Sequence, residues 1–421
     1  MLTAVVGINW GDEGKGRMVD LLSADYDIVC RYQGGNNAGH TVINDHGKIV
    51  LNLLPSGISR EGTVNVMGNG MVIDLEHLVH EIQSLRDKGI HIGPDNLKIS
   101  DKAVICLPWH KMQDIMEEDR LKDKKFGSTR RGIGPVYADK YMKKAIRMGD
   151  LFAPDKLPEK VADLTEWKNL TVRGYGREPV KAEDILAWLH EFGDPIKPYI
   201  TDVSDYLYDA ATAGENIMFE AQLGALRDIE FGIYPYTSSS CTLAGYATIG
   251  AGIPGLKLDK TIGIMKAYSS CVGEGPFTVE MFGDEAEALR RAGGEYGAAT
   301  GRPRRVGAFD IPASRYGVRM HGADCIALTK MDVLSYMDKI PVCVAYDING
   351  EITEKFPVGE RLNAAKPVFE YMEGFGDISG CRKPEDLPKA AMDYIRYLEA
   401  AVGCKIKYVS VGAGRDEYVE L

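Results

Sequence analysis

The run Thr3–Ile8 is apolar and largely β-branched, and it breaks at once into Trp10-Gly11-Asp12-Glu13-Gly14-Lys15-Gly16, after which Arg17 to Leu22 reads as the start of a helix. A buried strand, a glycine-rich turn and a helix N-terminus in direct succession leave few folds open. Backbone N–H groups and the positive helix end then converge on one point, which suits an anion such as phosphate. The segment is not a Walker A loop. The first glycine of G-x-x-x-x-G-K-[ST] would fall on Asn9, and the metal-binding hydroxyl would fall on Gly16. Lys15 is left to meet phosphate, and Asp12 becomes the candidate carboxylate for Mg²⁺, which prefers carboxylate and phosphate oxygens. A plain turn with a solvated charge pair is the bland alternative. An acidic pair set between glycines directly after a buried strand weighs against it.

Further along, short β-rich runs alternate with amphipathic helical patterns, which predicts an α/β fold around a mainly parallel sheet. Strands are expected at Ile28–Tyr32, Cys325–Leu328, Val342–Ala345 and Lys405–Val411. Asp74 is a plausible N-cap for a helix carrying Leu75, Leu78, Ile82 and Leu85, with Gly89 as its stop. Leu387, Ala391, Ile395, Leu398 and Val402 recur at helical spacing up to Gly403. The more polar stretch 155–205 is helical in pattern and carries no chemical motif, so we expect a peripheral helical insertion in one large domain spanning 1–421. Gly and Pro cluster at 245–255 and 293–303, which we expect to be loops.

The net charge of −11 sets the chain as a whole against nucleic acid, so an anionic ligand needs a local cationic pocket. The eight cysteines are scattered without a C-x-x-C pair, which predicts reduced thiols in a cytoplasmic protein. No apolar run approaches membrane-spanning length, and Met1 onward has neither a basic n-region nor a small-residue cleavage site.

Four other segments carry chemistry. Gly34-Gly35-Asn36-Asn37-Ala38-Gly39-His40-Thr41 places small residues, amides and one histidine after a strand, where His40 could donate to a developing oxyanion. Two loops combine glycines, hydroxyls and guanidiniums: Gly127-Ser128-Thr129-Arg130-Arg131-Gly132-Ile133-Gly134-Pro135 and Gly297-Ala298-Ala299-Thr300-Gly301-Arg302-Pro303-Arg304-Arg305. Arginine forks suit carboxylate and phosphate, though each loop alone is as readily a basic surface loop. Thr329-Lys330-Met331-Asp332 follows an expected strand. Its carboxylate could accept from N1–H and the 2-amino group of guanine, which together with a phosphate loop favours GTP.

In this order the segments resemble the adenylosuccinate synthetase family from Val6 to about Arg415. The likeness runs through WGDEGKG, RYQGG-x-NAGHT, LPSGI, RGIGPVYADK, YPY-x-SS, TGRPRR, TKMDVL and YVSVG. The resemblance implies a single α/β domain resembling P-loop proteins, acting as a homodimer. It implies GTP-dependent joining of L-aspartate to IMP through 6-phosphoryl-IMP, with Asp12 removing the N1 proton and His40 stabilising the 6-oxygen. Mg²⁺ would be held by Asp12 and the carbonyl of Gly39. GTP would touch Gly11, Asp12, Glu13, Gly14, Lys15, Gly16 and Arg17, then Gly39, His40, Thr41 and Arg304. It would also touch Lys330, Met331 and Asp332, and Ser410, Val411 and Gly412. IMP would meet Asp12 to Lys15, Asn37, Ala38, Gly39, His40, Thr129 and Arg302. Ala298, Ala299, Thr300, Gly301, Arg302 and Pro303 belong to the loop that would close over aspartate.

Departures from the family pattern gather around the acceptor. Leu223 stands in place of a glutamine, Ser238 in place of a threonine, and Lys143 in place of an arginine that crosses from the partner subunit. Asn9, Arg17, Asn36 and Ala299 also differ. A related 6-oxopurine nucleotide as acceptor is therefore the second expectation. A GTP-binding protein without catalysis is a third, which Asp12 and His40 argue against.

Overall fold

A computed structural model describes residues 1–44, 46–297, 301 and 303–421. Its centre is strand β1 (Leu2–Gly7), buried along its whole length. The other strands of the main sheet follow in chain order as β2 (Ile28–Arg31), β3 (Val64–Met67), β4 (Leu97–Ser100) and β5 (Ile200–Thr201). Then come β6 (Ile217–Glu220), β7 (Lys260–Lys266), β8 (Cys325–Thr329), β9 (Ile406–Ser410) and β10 (Tyr418–Glu420). The spatial order of this ten-stranded sheet is β10-β9-β8-β7-β1-β6-β2-β3-β4-β5. Every neighbouring pair is parallel except β9 with β10. The expected α/β fold with a parallel-rich sheet is thus what the chain adopts.

Order follows from pattern. β1, β2, β6 and β8 are apolar and buried on both faces, as parallel strands covered by helices must be. The helix Lys15–Leu22 packs Met18 and Val19 on one face beside Val5, Val29 and Ile264. On the other face, the helices Ile311–His321 and Lys389–Val402 bring Val318, Ile395 and Leu398 against Ile8, Met265 and Ile326. Asp74 caps the helix Leu75–Arg86, its side chain accepting from the His77 N–H.

β1 lies between β6 and β7, with Val5 in register with Glu220 on one side and Ile262 on the other. The chain runs outward from β1 in both directions, so the loops at the carboxyl ends of β1, β6 and β2 splay around a topological switch point. That crevice is where open α/β sheets bind ligands.

Two segments differ from expectation. The stretch 155–205 holds the helices Leu157–Gly174 and Ala182–Gly193, but its end supplies β5, the edge strand of the main sheet. Two residues are too few for a period-2 signal to show in sequence. Residues 247–251, expected as loop, form a short helix between glycines. The eight cysteines are free. No helix among the described residues is long and apolar enough to cross a membrane.

Candidate active site

The turn after β1 is built around Glu13, which is buried. Glu13 Oε1 accepts from the N–H of Asn9 at 3.1 Å and of Gly11 at 2.7 Å, while Oε2 pairs with Lys15 Nζ at 2.6 Å. The acidic pair therefore has two fates. Glu13 folds the turn, and Asp12 is turned outward with left-handed backbone, φ 58°. Left-handed backbone in a non-glycine residue is sparsely populated and gathers at functional sites. Leu223 (φ 63°) and Lys330 (φ 56°) share it.

Gly16 answers the question left by the missing Walker hydroxyl. A Cβ there would lie 2.6 Å from the Cβ of His40. Serine or threonine is sterically excluded because His40, at the start of the strand His40–Asn44, stands over this position. His40 Nδ1 lies 2.6 Å from Glu220 Oε1, at the carboxyl end of β6. Ser56 donates to the same carboxylate through its N–H at 2.8 Å and its hydroxyl at 2.5 Å. Burial works against the Glu220 charge, but His40, the buried Arg31 and the Ser56 hydroxyl together hold its carboxyl below the usual range. With Nδ1 committed to Glu220, Nε2 is the ring nitrogen left for a ligand.

The remaining segments close on the same turn. Thr329 Oγ1 donates to the Glu13 carbonyl at 2.5 Å, which sets Lys330, Met331 and Asp332 beside it. Asp332 Oδ1 is buried without a partner. Burial pushes this carboxyl above the ordinary range, against the pull of Arg17 and Lys330. A buried acceptor left open costs free energy until a donor arrives, which is what a recognition group for an N–H donor needs. Arg17 donates to the Ser410 hydroxyl, to the Gly414 carbonyl at 2.6 Å and to the Glu417 carbonyl at 3.0 Å, joining the first helix to the loop through Val411 and Gly412.

The loop 34–39 after β2, expected from the sequence to meet the acceptor and hence termed the acceptor loop, is organised by Gln222. Its Oε1 accepts from Arg31 Nη2 at 2.9 Å and from the Gly35 N–H at 3.0 Å, and its Nε2 donates to Asn37 Oδ1 at 2.5 Å. Its carbonyl accepts from Gln33, which in turn accepts from Ser240, 3.4 Å from the Ser238 hydroxyl. Gln222 is thus fully employed in scaffold. Leu223 instead lies over Gly11, where a Cβ would meet its Cδ2 at 3.3 Å. Ala38 is buried, its carbonyl held by Asn52 Nδ2, and Gly39 borders open space. Thr41 is half-buried on the hairpin strand.

The two basic loops part company. Arg304 Nη1 pairs with Glu295 at 2.9 Å and Nη2 with Asp12 at 3.3 Å, so this loop reaches the site. Gly301 and Pro303 lie at its exposed turn, whereas Ala298, Ala299, Thr300 and Arg302 fall outside the described residues. Thr129 is exposed, in a loop whose Ser128 and Gly132 are tied to Asp114. The Thr129 hydroxyl is therefore open to solvent rather than tied into the loop. The following helix Ile133–Tyr141 does touch the acceptor loop, Tyr137 accepting from the Gly34 N–H at 2.9 Å. Lys143 is exposed, with φ 63°.

Sequence reading missed Glu220, Ser56, Arg31, Lys266 and Glu295. Glu220 had a signal: it is the single charge closing an otherwise apolar strand. Among the described residues no three His, Cys, Asp or Glu side chains group around a metal position. The oxygens of Asp12 and of the Gly39 carbonyl fit a hard cation that takes its other ligands from phosphate and water.

A sequence profile of the adenylosuccinate synthetase family matches residues 4–419. The chain is 44% identical over 423 aligned positions to the adenylosuccinate synthetase of Caldanaerobacter subterraneus subsp. tengcongensis, covering 100% of this chain and 99% of that one. It is 43% identical to the enzyme of Streptococcus gordonii, covering 98% and 96%. Among solved structures, the fully ligated adenylosuccinate synthetase from Plasmodium falciparum superposes with a TM-score of 0.92 at 36% identity, covering 100% and 99%. The cyanophage S-2L succinoaminodeoxyadenylate synthetase bound to dGMP and dATP shares the fold, with a TM-score of 0.62 at 18% identity.

Proposed function

The chain belongs to the adenylosuccinate synthetase family, and from that premise we propose that it joins L-aspartate to IMP at the expense of GTP, giving adenylosuccinate, GDP and phosphate in purine nucleotide biosynthesis. The observation that carries the reading is His40 standing over Gly16. It brings an acid–base ring and the Asp12–Lys15 turn into one site and removes the hydroxyl that a P-loop kinase uses.

Asp12 takes the N1 proton of IMP, and the 6-oxygen so activated attacks the γ-phosphorus of GTP. The bond to GDP breaks and 6-phosphoryl-IMP forms. His40, braced by Glu220 through Nδ1, presents Nε2 to the 6-oxygen; a proton on Nε2 makes the ring a donor to the charge gathering there. The amine of aspartate then attacks C6, phosphate leaves with the 6-oxygen, and the amine loses its proton. Lys15 and the turn N–H groups meet the phosphates, and Asp332 reads guanine through the oxygen that has no internal partner. Mg²⁺, when bound by Asp12 and the Gly39 carbonyl, neutralises charge on the phosphates. We take the enzyme to work as a cytoplasmic homodimer, with the exposed Lys143 offered to the partner subunit's acceptor site.

The test is turnover of the purified protein with Mg²⁺, GTP and aspartate, the acceptor being IMP, dIMP, GMP or dGMP. Product is followed by ultraviolet difference and phosphate release. Adenylosuccinate from IMP is expected, and no product with IMP at any protein concentration sinks the reading. Leu223 over Gly11 supports one second reading, a related 6-oxopurine nucleotide as acceptor. Preference for GMP or dGMP in the same assay would establish it.

A further inference from the structure

Beyond the turn, one wholly buried carboxylate gathers more donors than any group assigned to the reaction so far. Glu295 Oε1 accepts from Lys266 Nζ at 2.8 Å, the Tyr268 hydroxyl at 2.5 Å and Lys330 Nζ at 3.0 Å, and Oε2 accepts from Arg304 Nη1 at 2.9 Å. We infer that Glu295 is a positioning residue for the reaction: it holds Arg304 between itself and Asp12, and so sets the guanidinium where GTP is to be met. The inference rests on the reading of Arg304 as a GTP contact.

Three observations carry it. First, Glu295 fixes Arg304 twice, because the Arg304 N–H also donates to the Glu295 carbonyl at 2.9 Å. A bridge between Tyr296 and Pro303 closes the base of the intervening loop. Second, Arg304 still has capacity: its Nε is buried without a partner. A guanidinium carries five donors in a rigid fork, so holding Arg304 at Nη1 and Nη2 fixes the direction of its remaining N–H bonds. Third, removing the carboxylate would leave buried cations uncompensated, which is far costlier than losing a surface pair. Burial lowers Lys266 to about 8 even with Glu295 beside it. Glu295 itself is pushed up by burial and drawn well below the carboxylate range by Lys266, Lys330 and Arg304. Lys266 and Lys330 therefore depend on this carboxylate, which shares Arg304 with Asp12.

The experiment is a double-mutant cycle on the full chain, reading kcat/KM for GTP and, separately, GTP affinity by calorimetry. E295Q and R304A should each lower both by about tenfold or more, the loss of a charged hydrogen bond. If Glu295 acts through Arg304, the double variant falls no more than about threefold below R304A alone. A double variant whose loss equals the product of the two single losses overturns the inference, since a merely structural role is additive. Should E295Q fail to fold, the charge-neutral pair K266M/E295Q takes its place in the cycle. Wild-type kcat/KM and affinity for GTP in that pair would equally overturn it. Absence of IMP turnover in the wild-type protein fails the functional reading instead, and the cycle in GTP affinity then still decides the role of Glu295.

Discussion

Two loops of this chain, 127–132 and 297–305, share glycines, hydroxyls and paired arginines, and the fold treats them in opposite ways. In the first, Arg130 pairs with Asp119 at 3.0 Å on the surface and Ser128 bonds Asp114. In the second, Arg304 enters the site between Glu295 and Asp12, while Arg305 is spent on Glu280 and stacks on Phe277. Local composition is the same, and what differs is the carboxylate that tertiary structure offers. An exposed pair is worth about 0–1 kcal/mol, whereas a buried one fixes geometry. The lesson is that an arginine loop becomes an anion site only where a buried carboxylate anchors it and leaves donors over.

The largest effect breaks the comparison at its site end. Asp12→Asn removes both the proposed base and the second partner of Arg304, so kcat should fall by about 10²–10⁴. GTP affinity should hold within about threefold, and near-wild-type turnover in a steady-state assay would refute the role of Asp12. Glu220→Gln tests the other brace of the site. It deprives His40 and Arg31 of a buried charge, and a fall in kcat of at least about tenfold is expected, larger than any rise in KM, from the loss of a charged hydrogen bond. The direct contrast is Arg304→Ala against Arg130→Ala. The first should cost about tenfold or more in kcat/KM for GTP, and the second should stay within about twofold and about 0.5 kcal/mol of stability by urea unfolding. Equal losses would abolish the distinction between the loops. The smallest change sharpens the acceptor side: Leu223→Gln should lower the KM for IMP about threefold to tenfold, the worth of one added hydrogen bond, and leave the KM for GTP unmoved.

A fifth test concerns the scaffold behind the end of β1. His321 is buried, with Nε2 donating to the Gly7 carbonyl at 2.8 Å and Nδ1 accepting from the Ala244 N–H at 3.2 Å. Burial lowers it to about 4. The neutral form is therefore the one the fold keeps, and its contribution is present above the unfolded value near 6.5 and lost as pH falls from there to about 4. Urea unfolding at pH 7, 5.5 and 4 should show a decline that His321→Asn flattens.

Much of the site was legible because its chemistry is local. Asp12, Lys15 and the helix Lys15–Leu22 lie within a few residues of one another, and a buried strand before them dictates where they point. The helix capped by Asp74 and the strand Cys325–Thr329 follow likewise from short-range periodicity. The sequence by itself determined the strand–turn–helix entry, the parallel-rich sheet and the types of group available. It also showed that Gly16 could not supply a hydroxyl, but not why. Tertiary structure alone decided that His40 stands over Gly16, that Glu220 and Glu295 brace the site, and that Gln222 is spent on the acceptor loop while Leu223 faces Gly11. Apart from Glu295 with Arg304, which one loop joins, these pairings bring together residues from different strands and loops. A side chain's partner across the sheet is set by which strands lie adjacent, and that is a property of the whole packed chain rather than of any window along it.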